Sequence, residues 1–66
     1  MTITVNGKPR EVGDGISVAQ LISELGFSGK RVAVEINEEI VPRANFGTHL
    51  LRERDVVELV QFMAGG

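Results

Sequence analysis

The sequence predicts an α+β fold in which one main helix packs against one face of a mixed five-stranded sheet. Three features predict it: short segments with alternating apolar residues, one capped segment with a helical apolar stripe, and an almost continuous apolar segment near the end. The chain has 66 residues, which is the size of one domain. Such a domain buries only about 60% of the surface of its unfolded chain, so no deep substrate pocket fits beside the core.

The first two strands are expected to form a β-hairpin. Ile3 and Val5 alternate with polar residues, which is the period of a strand with one buried face. Asn6-Gly7 follows at once and is typical of a two-residue hairpin turn, because both central positions of that turn adopt positive φ. The second strand is therefore expected at residues 9–12.

The helix is expected at residues 17–25. Ser17 is a favourable N-cap, and Gln20 three residues later completes a capping-box pattern. Gly26 stands where many helices end in a left-handed residue. Four apolar residues follow the i, i+3, i+4, i+7 spacing of a single helical stripe: Val18, Leu21, Ile22 and Leu25.

The next two strands are shorter. Alternating apolar residues at 32–36 predict the third strand, and residues 37–39 resemble a turn. Ile40-Val41 begins a short fourth strand, which Pro42 keeps brief or at an edge of the sheet because proline cannot donate to a ladder. Residues 43–54 have no clean period, and we expect a loop with a short helical turn.

The fifth strand is expected at residues 56–62. Its nearly continuous apolar content indicates a central strand, or one whose second face is covered by a partner. Val57 and Leu59 would face the helix. Unless a loop covers the opposite side, we expect a partner-docking surface there, formed by Val56, Val60, Phe62 and Met63.

Composition excludes several classes of function. The net charge is −2, and the seven basic residues are scattered along the chain, which disfavours a nucleic-acid binder. Without cysteine there is no disulfide, no thiol nucleophile and no Cys-based metal site, and the lone His49 cannot build a multi-histidine metal site. No apolar segment approaches the ~18 residues of a membrane span and no signal peptide is evident, so we expect a cytoplasmic protein without a membrane partner.

The internal motifs are weak. Gly13-Asp14-Gly15 and Gly29-Lys30 lack the remaining residues of nucleotide-binding loops, so we interpret both as turns. His49 has no legible nucleophile or orienting partner nearby, so we expect it to be solvated or to cap a backbone group. Glu38-Glu39, around which we expect no pocket, and the segment 52–55 are interpreted as solvated turns.

The last four residues are the strongest candidate site. We expect one domain at residues 1–62 and a flexible tail at 63–66, because the tail is small and unpatterned. Glycine has no Cβ, so Ala64, Gly65 and Gly66 could thread a narrow channel in a partner enzyme and present a carboxylate to a nucleotide. Composition alone leaves open the alternative of a frayed terminus.

Motifs along the whole chain are similar to those of the ThiS family, the sulfur carriers of thiamine biosynthesis. The similar segments are Ile3-Thr4-Val5-Asn6-Gly7, Val32-Ala33-Val34-Glu35-Ile36-Asn37, Ile40-Val41-Pro42-Arg43, Leu51-Arg52-Glu53, residues 55–61 and the ending Phe62-Met63-Ala64-Gly65-Gly66. One departure is Arg54, which stands where the family commonly has glycine before the aspartate. If that turn needs positive φ, arginine costs about 1 kcal/mol there.

The resemblance implies a ubiquitin-like β-grasp fold and a carrier that is not itself an enzyme. It implies that a ThiF-like adenylating enzyme, similar to the ubiquitin-activating enzymes, uses ATP to adenylate Gly66, while this chain binds no cofactor. Sulfur from a cysteine-desulfurase route then replaces AMP and leaves a C-terminal thiocarboxylate. A ThiG-like thiazole synthase takes that sulfur for the thiazole of thiamine.

Other functions share this fold or tail. The small subunit of molybdopterin synthase is the closest rival, although this chain is short for it and Val5-Asn6-Gly7 and Val41-Pro42-Arg43 suit the thiamine family better. Sulfur transfer to cysteine or tRNA, a protein modifier joined to lysines through Gly66, and a plain interaction module are the remaining alternatives.

Overall fold

The computed structural model describes residues 1–62, and within them it contains five strands and one α-helix. The elements in chain order are β1 (Thr2–Val5), β2 (Lys8–Glu11), α1 (Val18–Glu24), β3 (Val32–Ile36), β4 (Glu39–Val41) and β5 (Val56–Gln61). Short 3₁₀ turns occupy Gly29–Arg31 and Arg43–Asn45. No helix in this part of the chain is long and apolar enough to cross a membrane.

The strands form one mixed sheet with the order β2-β1-β5-β3-β4. The central pair, β1 and β5, is parallel, and the three other pairs are antiparallel. The predictions of a mixed sheet, of a central fifth strand and of a fourth strand at an edge are therefore confirmed. The 3₁₀ turn that begins at Gly29 was not predicted, whereas the helical turn after Pro42 was.

Both hairpins of the sheet turn through left-handed residues. Asn6 and Gly7 have φ of 49° and 83°, as the Asn-Gly pair predicts. Asn37 and Glu38 turn in the same way, with φ of 53° and 71°, so the second hairpin is equally tight. Glu39 consequently belongs to β4, whereas the sequence interpretation placed it in the turn.

The helix has the ends that its sequence predicts. The Ser17 hydroxyl accepts the Gln20 N–H at 3.1 Å, and the Gln20 side-chain oxygen accepts the Ser17 N–H at 2.8 Å, so the capping box is complete. Leu25 is the C-cap, and Gly26 follows with φ of 81°. The chain can therefore leave the helix at once and turn towards β3.

The core lies between α1 and the inner face of the sheet. Val18, Leu21 and Ile22 are buried from the helix side, and Leu25 is partly buried against the same cluster. The sheet supplies alternate residues of its strands, as period-two patterns require: Ile3, Val32, Val34, Ile36, Val41, Val57 and Leu59. The predicted core stripe and the inward side of β5 are therefore confirmed.

The turn before β5 contains a strained arginine. Arg54 has φ of 70°, and the Asp55 N–H donates to the Arg52 carbonyl at 3.1 Å across the turn. The Asp55 carboxylate accepts the Arg52 N–H at 2.8 Å, which further holds this turn closed. A side chain at a left-handed position costs about 1–2 kcal/mol, so the turn has a geometry that favours glycine.

Leu21→Ala should destabilise the domain by about 2–5 kcal/mol, because Leu21 is fully buried and its truncation leaves a cavity. Urea unfolding of the two proteins measures the difference. Ser23→Ala, at an exposed position of the same helix, is the matched control and should change stability by less than about 0.5 kcal/mol. An unchanged unfolding midpoint for Leu21→Ala would contradict the core assignment.

Arg54→Gly should stabilise the domain by about 0.5–1 kcal/mol. Relief of the left-handed strain outweighs the larger chain entropy that glycine loses on folding. Arg52→Gly removes the same charge from a neighbouring position that does not have positive φ, and it should not stabilise the domain. A loss of stability in Arg54→Gly, measured by thermal unfolding, would show that the arginine side chain makes a larger contribution than the strain.

Candidate functional site at the end of the central strand

The face of β5 that points away from the helix is open. Val56, Val60 and Phe62 are 45%, 58% and 48% exposed, whereas Val57 and Leu59 are buried. The predicted alternation is confirmed, and no loop of residues 1–62 covers the outer side chains. The three side chains therefore form an exposed apolar row, which we call the outer row.

Neighbouring strands extend the outer row. Ala33 of β3 is in register with Val60. Ile40 of β4 is 76% exposed, is in register with Glu35 and lies on the same outer face. In the middle of the face, Glu35 and Glu58 stand directly opposite each other. The outer face is thus apolar towards the end of β5 and acidic at its centre.

Asn6 fixes β5 from the β1 side. Its backbone N–H donates to the Val57 carbonyl at 2.9 Å, which continues the parallel pairing. Its side-chain oxygen accepts the Leu59 N–H at 2.7 Å, and its side-chain amide donates to the Leu59 carbonyl at 3.3 Å. One asparagine therefore pairs β5 beyond the point at which β1 ends.

Asn37 has the corresponding role on the β3 side. Its backbone N–H donates to the Val56 carbonyl at 2.8 Å, and its side-chain oxygen accepts the Val56 N–H at 3.0 Å. Its side-chain amide donates to the buried Asp55 carboxylate at 3.1 Å. The beginning of β5 is thereby fixed against the turn that contains Arg54.

Pairing with β3 continues to the end of the described chain. Gln61 is in register with Val32, and the Phe62 N–H donates to the Arg31 carbonyl at 2.7 Å. The position and direction from which the chain leaves the sheet are therefore set by backbone bonds. The predicted site residues Met63, Ala64, Gly65 and Gly66 lie outside the described residues, so their roles stay predictions.

The structure also shows where the weaker candidates, His49 and Glu38-Glu39, lie. The His49 carbonyl accepts the Val18 N–H at 3.0 Å, so this residue helps to cap α1 through its backbone, and its side chain is half-buried. Glu39 lines a broad depression of about 860 Å³ together with Asp55, where the sequence interpretation expected no pocket around Glu38-Glu39. Among the residues described, no group of three or more His, Cys, Asp or Glu side chains could hold a metal ion.

Sequence reasoning identified Asn6 only as a turn residue and missed its contacts with β5. The available signal was the repeated pattern of a β-rich segment followed at once by asparagine, at Val5-Asn6 and Ile36-Asn37. Asparagine tolerates left-handed φ and can also pair with backbone groups. Nothing in the sequence states which strand such a side chain meets.

Comparison with known proteins identifies relatives along the whole chain. The model of the ThiS family matches residues 3–66. The sulfur carrier protein ThiS of Thermus thermophilus is 38% identical over 64 residues, covering 97% of this chain and 98% of that protein. A thiazole synthase of Magnetococcus marinus is 39% identical over 66 residues, and this chain spans only 20% of its length.

A solved structure has the same fold. The crystal structure of a thiamine biosynthesis protein (ThiS) from Geobacter metallireducens superposes with a TM-score of 0.84 and 38% sequence identity, and 100% of both chains is covered. At this identity the likeness extends beyond architecture to family. The ubiquitin-like β-grasp that the sequence motifs imply is therefore confirmed.

Asn6→Gly should loosen the end of β5. Glycine retains the left-handed turn but removes both side-chain bonds to Leu59, at a cost of about 1–3 kcal/mol for partly buried backbone groups. Hydrogen exchange measures the effect, and protection of the Leu59 amide should fall more than protection of the Leu21 amide in α1. Equal losses at both amides would show that the side chain acts on global stability alone.

Proposed function

The chain belongs to the ThiS family, and from this premise we propose how a sulfur carrier protein of thiamine biosynthesis uses its C-terminal residues. The supporting observation is the family match through residue 66, together with the pairing of β5 with β3 up to Gln61, just before the last residues of the chain. We propose Gly66 as the residue that carries sulfur, with Ala64 and Gly65 small enough to follow it into a narrow active site. The ThiS match favours thiamine over the molybdopterin alternative.

The chemistry is an acyl transfer in two steps. A carboxylate is resonance-stabilised, so its oxygen first attacks the α-phosphate of ATP, forming an acyl-adenylate and releasing pyrophosphate. A sulfur nucleophile at the oxidation level of sulfide then attacks the acyl carbon, and the C–O bond to AMP breaks. The product is a thiocarboxylate, which is ionised at neutral pH and is a better nucleophile than the carboxylate.

The chain acts as a protein co-substrate in this scheme. A ThiF-like adenylating enzyme holds ATP, a cysteine-desulfurase route supplies the sulfur, and the carrier itself binds no cofactor. A thiazole synthase is the proposed acceptor, which is supported by the similarity to the Magnetococcus protein of that name. Because these partners draw on ATP and cysteine, we propose the cytoplasm as the place of action.

The outer row is the proposed docking surface for these partners. The outer row is exposed and apolar, and it includes Phe62, the residue before the tail. Because a backbone bond fixes Phe62, a partner bound to the outer row would meet the tail at a defined point. Met63 continues the same surface in this proposal.

Incubation with ATP, a sulfide source and a ThiF-like enzyme should increase the intact mass by about 16 Da, the difference between sulfur and oxygen at the acyl carbon. Deletion of Gly66 should abolish the shift because the remaining terminal carboxylate, on Gly65, ends one residue short of the reacting position. Intact-mass spectrometry of both proteins is the measurement.

The control is the fold of the deletion variant. Its unfolding midpoint should equal that of the parent protein, since terminal residues contribute little to a core. Sulfur delivery by a chain extended beyond Gly66, with no removal of the extension, would contradict the proposal. So would the absence of the mass shift with every adenylating enzyme tested.

Phe62→Asp should weaken binding to the adenylating enzyme at least about tenfold, because a charge replaces an apolar group at the proposed interface. Leu50→Asp introduces the same charge at a similarly exposed apolar residue outside the outer row, and it should bind normally. Calorimetric titration compares the two variants. Equal affinities for both would show that the outer row is not the docking surface.

A further inference from the structure

Basic side chains that are scattered in the sequence meet at one end of the sheet. Lys30 and Arg31 immediately precede β3, and β3 is antiparallel to β5, so both stand where β5 ends. Arg43 joins them because its guanidinium donates to the Lys30 carbonyl at 3.1 Å. We call Lys30, Arg31 and Arg43 the basic rim.

Backbone bonds tie the basic rim to the exit of the chain. The Arg31 carbonyl accepts the Phe62 N–H, and Ser28 caps the 3₁₀ turn by accepting the Lys30 N–H at 3.3 Å. The rim therefore has a fixed position relative to Phe62. Arg31 thus lies beside Phe62, and Lys30 and Arg43 lie next to Arg31.

No ion pair among residues 1–62 neutralises the charges of the basic rim. Ion pairs in residues 1–62 join the N-terminus to Asp14 and Arg10 to Glu24, and none involves Lys30, Arg31 or Arg43. All three residues are exposed. In a chain with a net charge of −2, three exposed cations that have no ion-pair partner among residues 1–62 create a local positive potential at this end of the sheet.

The opposite end of the sheet differs in charge. Glu38 and Glu39 follow β3, and Glu53 precedes β5, where its carboxylate accepts the Thr2 N–H at 2.7 Å. Arg52 and Arg54 lie at that same end and balance part of this negative charge. Within residues 1–62 the two ends of β5 therefore differ in charge, and the positive end is the one at Phe62.

A small apolar depression adjoins the rim. It has a volume of about 180 Å³ and is lined in part by Pro42, Arg43 and Phe62. If a partner inserts an apolar side chain into this depression, the partner groups next to that side chain meet the guanidinium of Arg43. Carboxylates at those positions of the partner would form charge-assisted hydrogen bonds with the guanidinium.

We propose that the basic rim binds an acidic protein surface, with Asp or Glu side chains around an apolar anchor, at the mouth of the channel that receives the tail. This inference rests on the proposed function, because it assumes that the tail enters a partner. Exposed rim charges act mainly on the association rate and its salt dependence. The basic rim thus orients the carrier so that the tail meets the channel first.

The test uses the full chain with the ThiF-like enzyme and ATP, and follows adenylation as a function of carrier concentration. The double variant Lys30→Glu/Arg31→Glu leaves the backbone carbonyls of the rim in place. Its KM for the carrier should rise about tenfold at low salt, with kcat little changed, and the increase should shrink to about threefold or less in ~500 mM salt.

The matched control is Arg52→Glu/Arg54→Glu, which changes the net charge equally at the other end of the sheet and should leave KM within about twofold. Urea unfolding confirms that both variants fold, and Lys30→Gln/Arg31→Gln should give an intermediate KM. Equal KM values for the two charge-reversed variants, or a KM increase that does not respond to salt, would overturn the proposal. If the parent chain is not adenylated at all, the proposed function fails, and this inference fails with it.

Discussion

The position of β5 between β1 and β3 is the constraint on which the rest of the structure depends. Its inward residues Val57 and Leu59 complete the core against α1, so its outward residues must face solvent. Two asparagines secure it from opposite sides, because Asn6 pairs with Leu59 and Asn37 pairs with Val56. The last strand is therefore both the centre of the sheet and the support from which the final residues leave.

The sequence predicted most elements of the fold, because local patterns carried their signals. The capping box at Ser17, the left-handed Asn6-Gly7 turn and the alternation in β5 each depend on residues close in sequence, and each is confirmed. Strand partners and side-chain contacts between distant turns were not predictable in this way. The contact of Asn6 with Leu59 spans 53 residues and depends on the finished topology.

The basic rim illustrates the same limit for the candidate site. In the sequence, Lys30-Arg31 and Arg43 are separated by β3 and β4 and read as isolated surface charges. The antiparallel pairing of β3 with β5 brings Arg31 to Phe62, and the turn after β4 brings Arg43 back to Lys30. Clustering of these charges is a property of the sheet order, so their spacing along the sequence does not reveal it. The chemistry proposed for the tail needs no folded neighbours, so the sequence alone was enough to suggest it.

The outer face, which we propose as the docking surface, is exposed to water and carries two carboxylates at its centre. Glu35 and Glu58 lie opposite each other on β3 and β5, an arrangement that costs stability through like-charge repulsion. Their hydration interrupts an apolar face that would otherwise run from Val56 to Phe62, and continuous exposed apolar faces favour self-association. The repulsion in the middle of the face is thus compatible with an apolar contact near Val60 and Phe62, next to the basic rim. A partner that meets both surfaces there gains apolar burial and charge pairing at the one place from which the last residues depart.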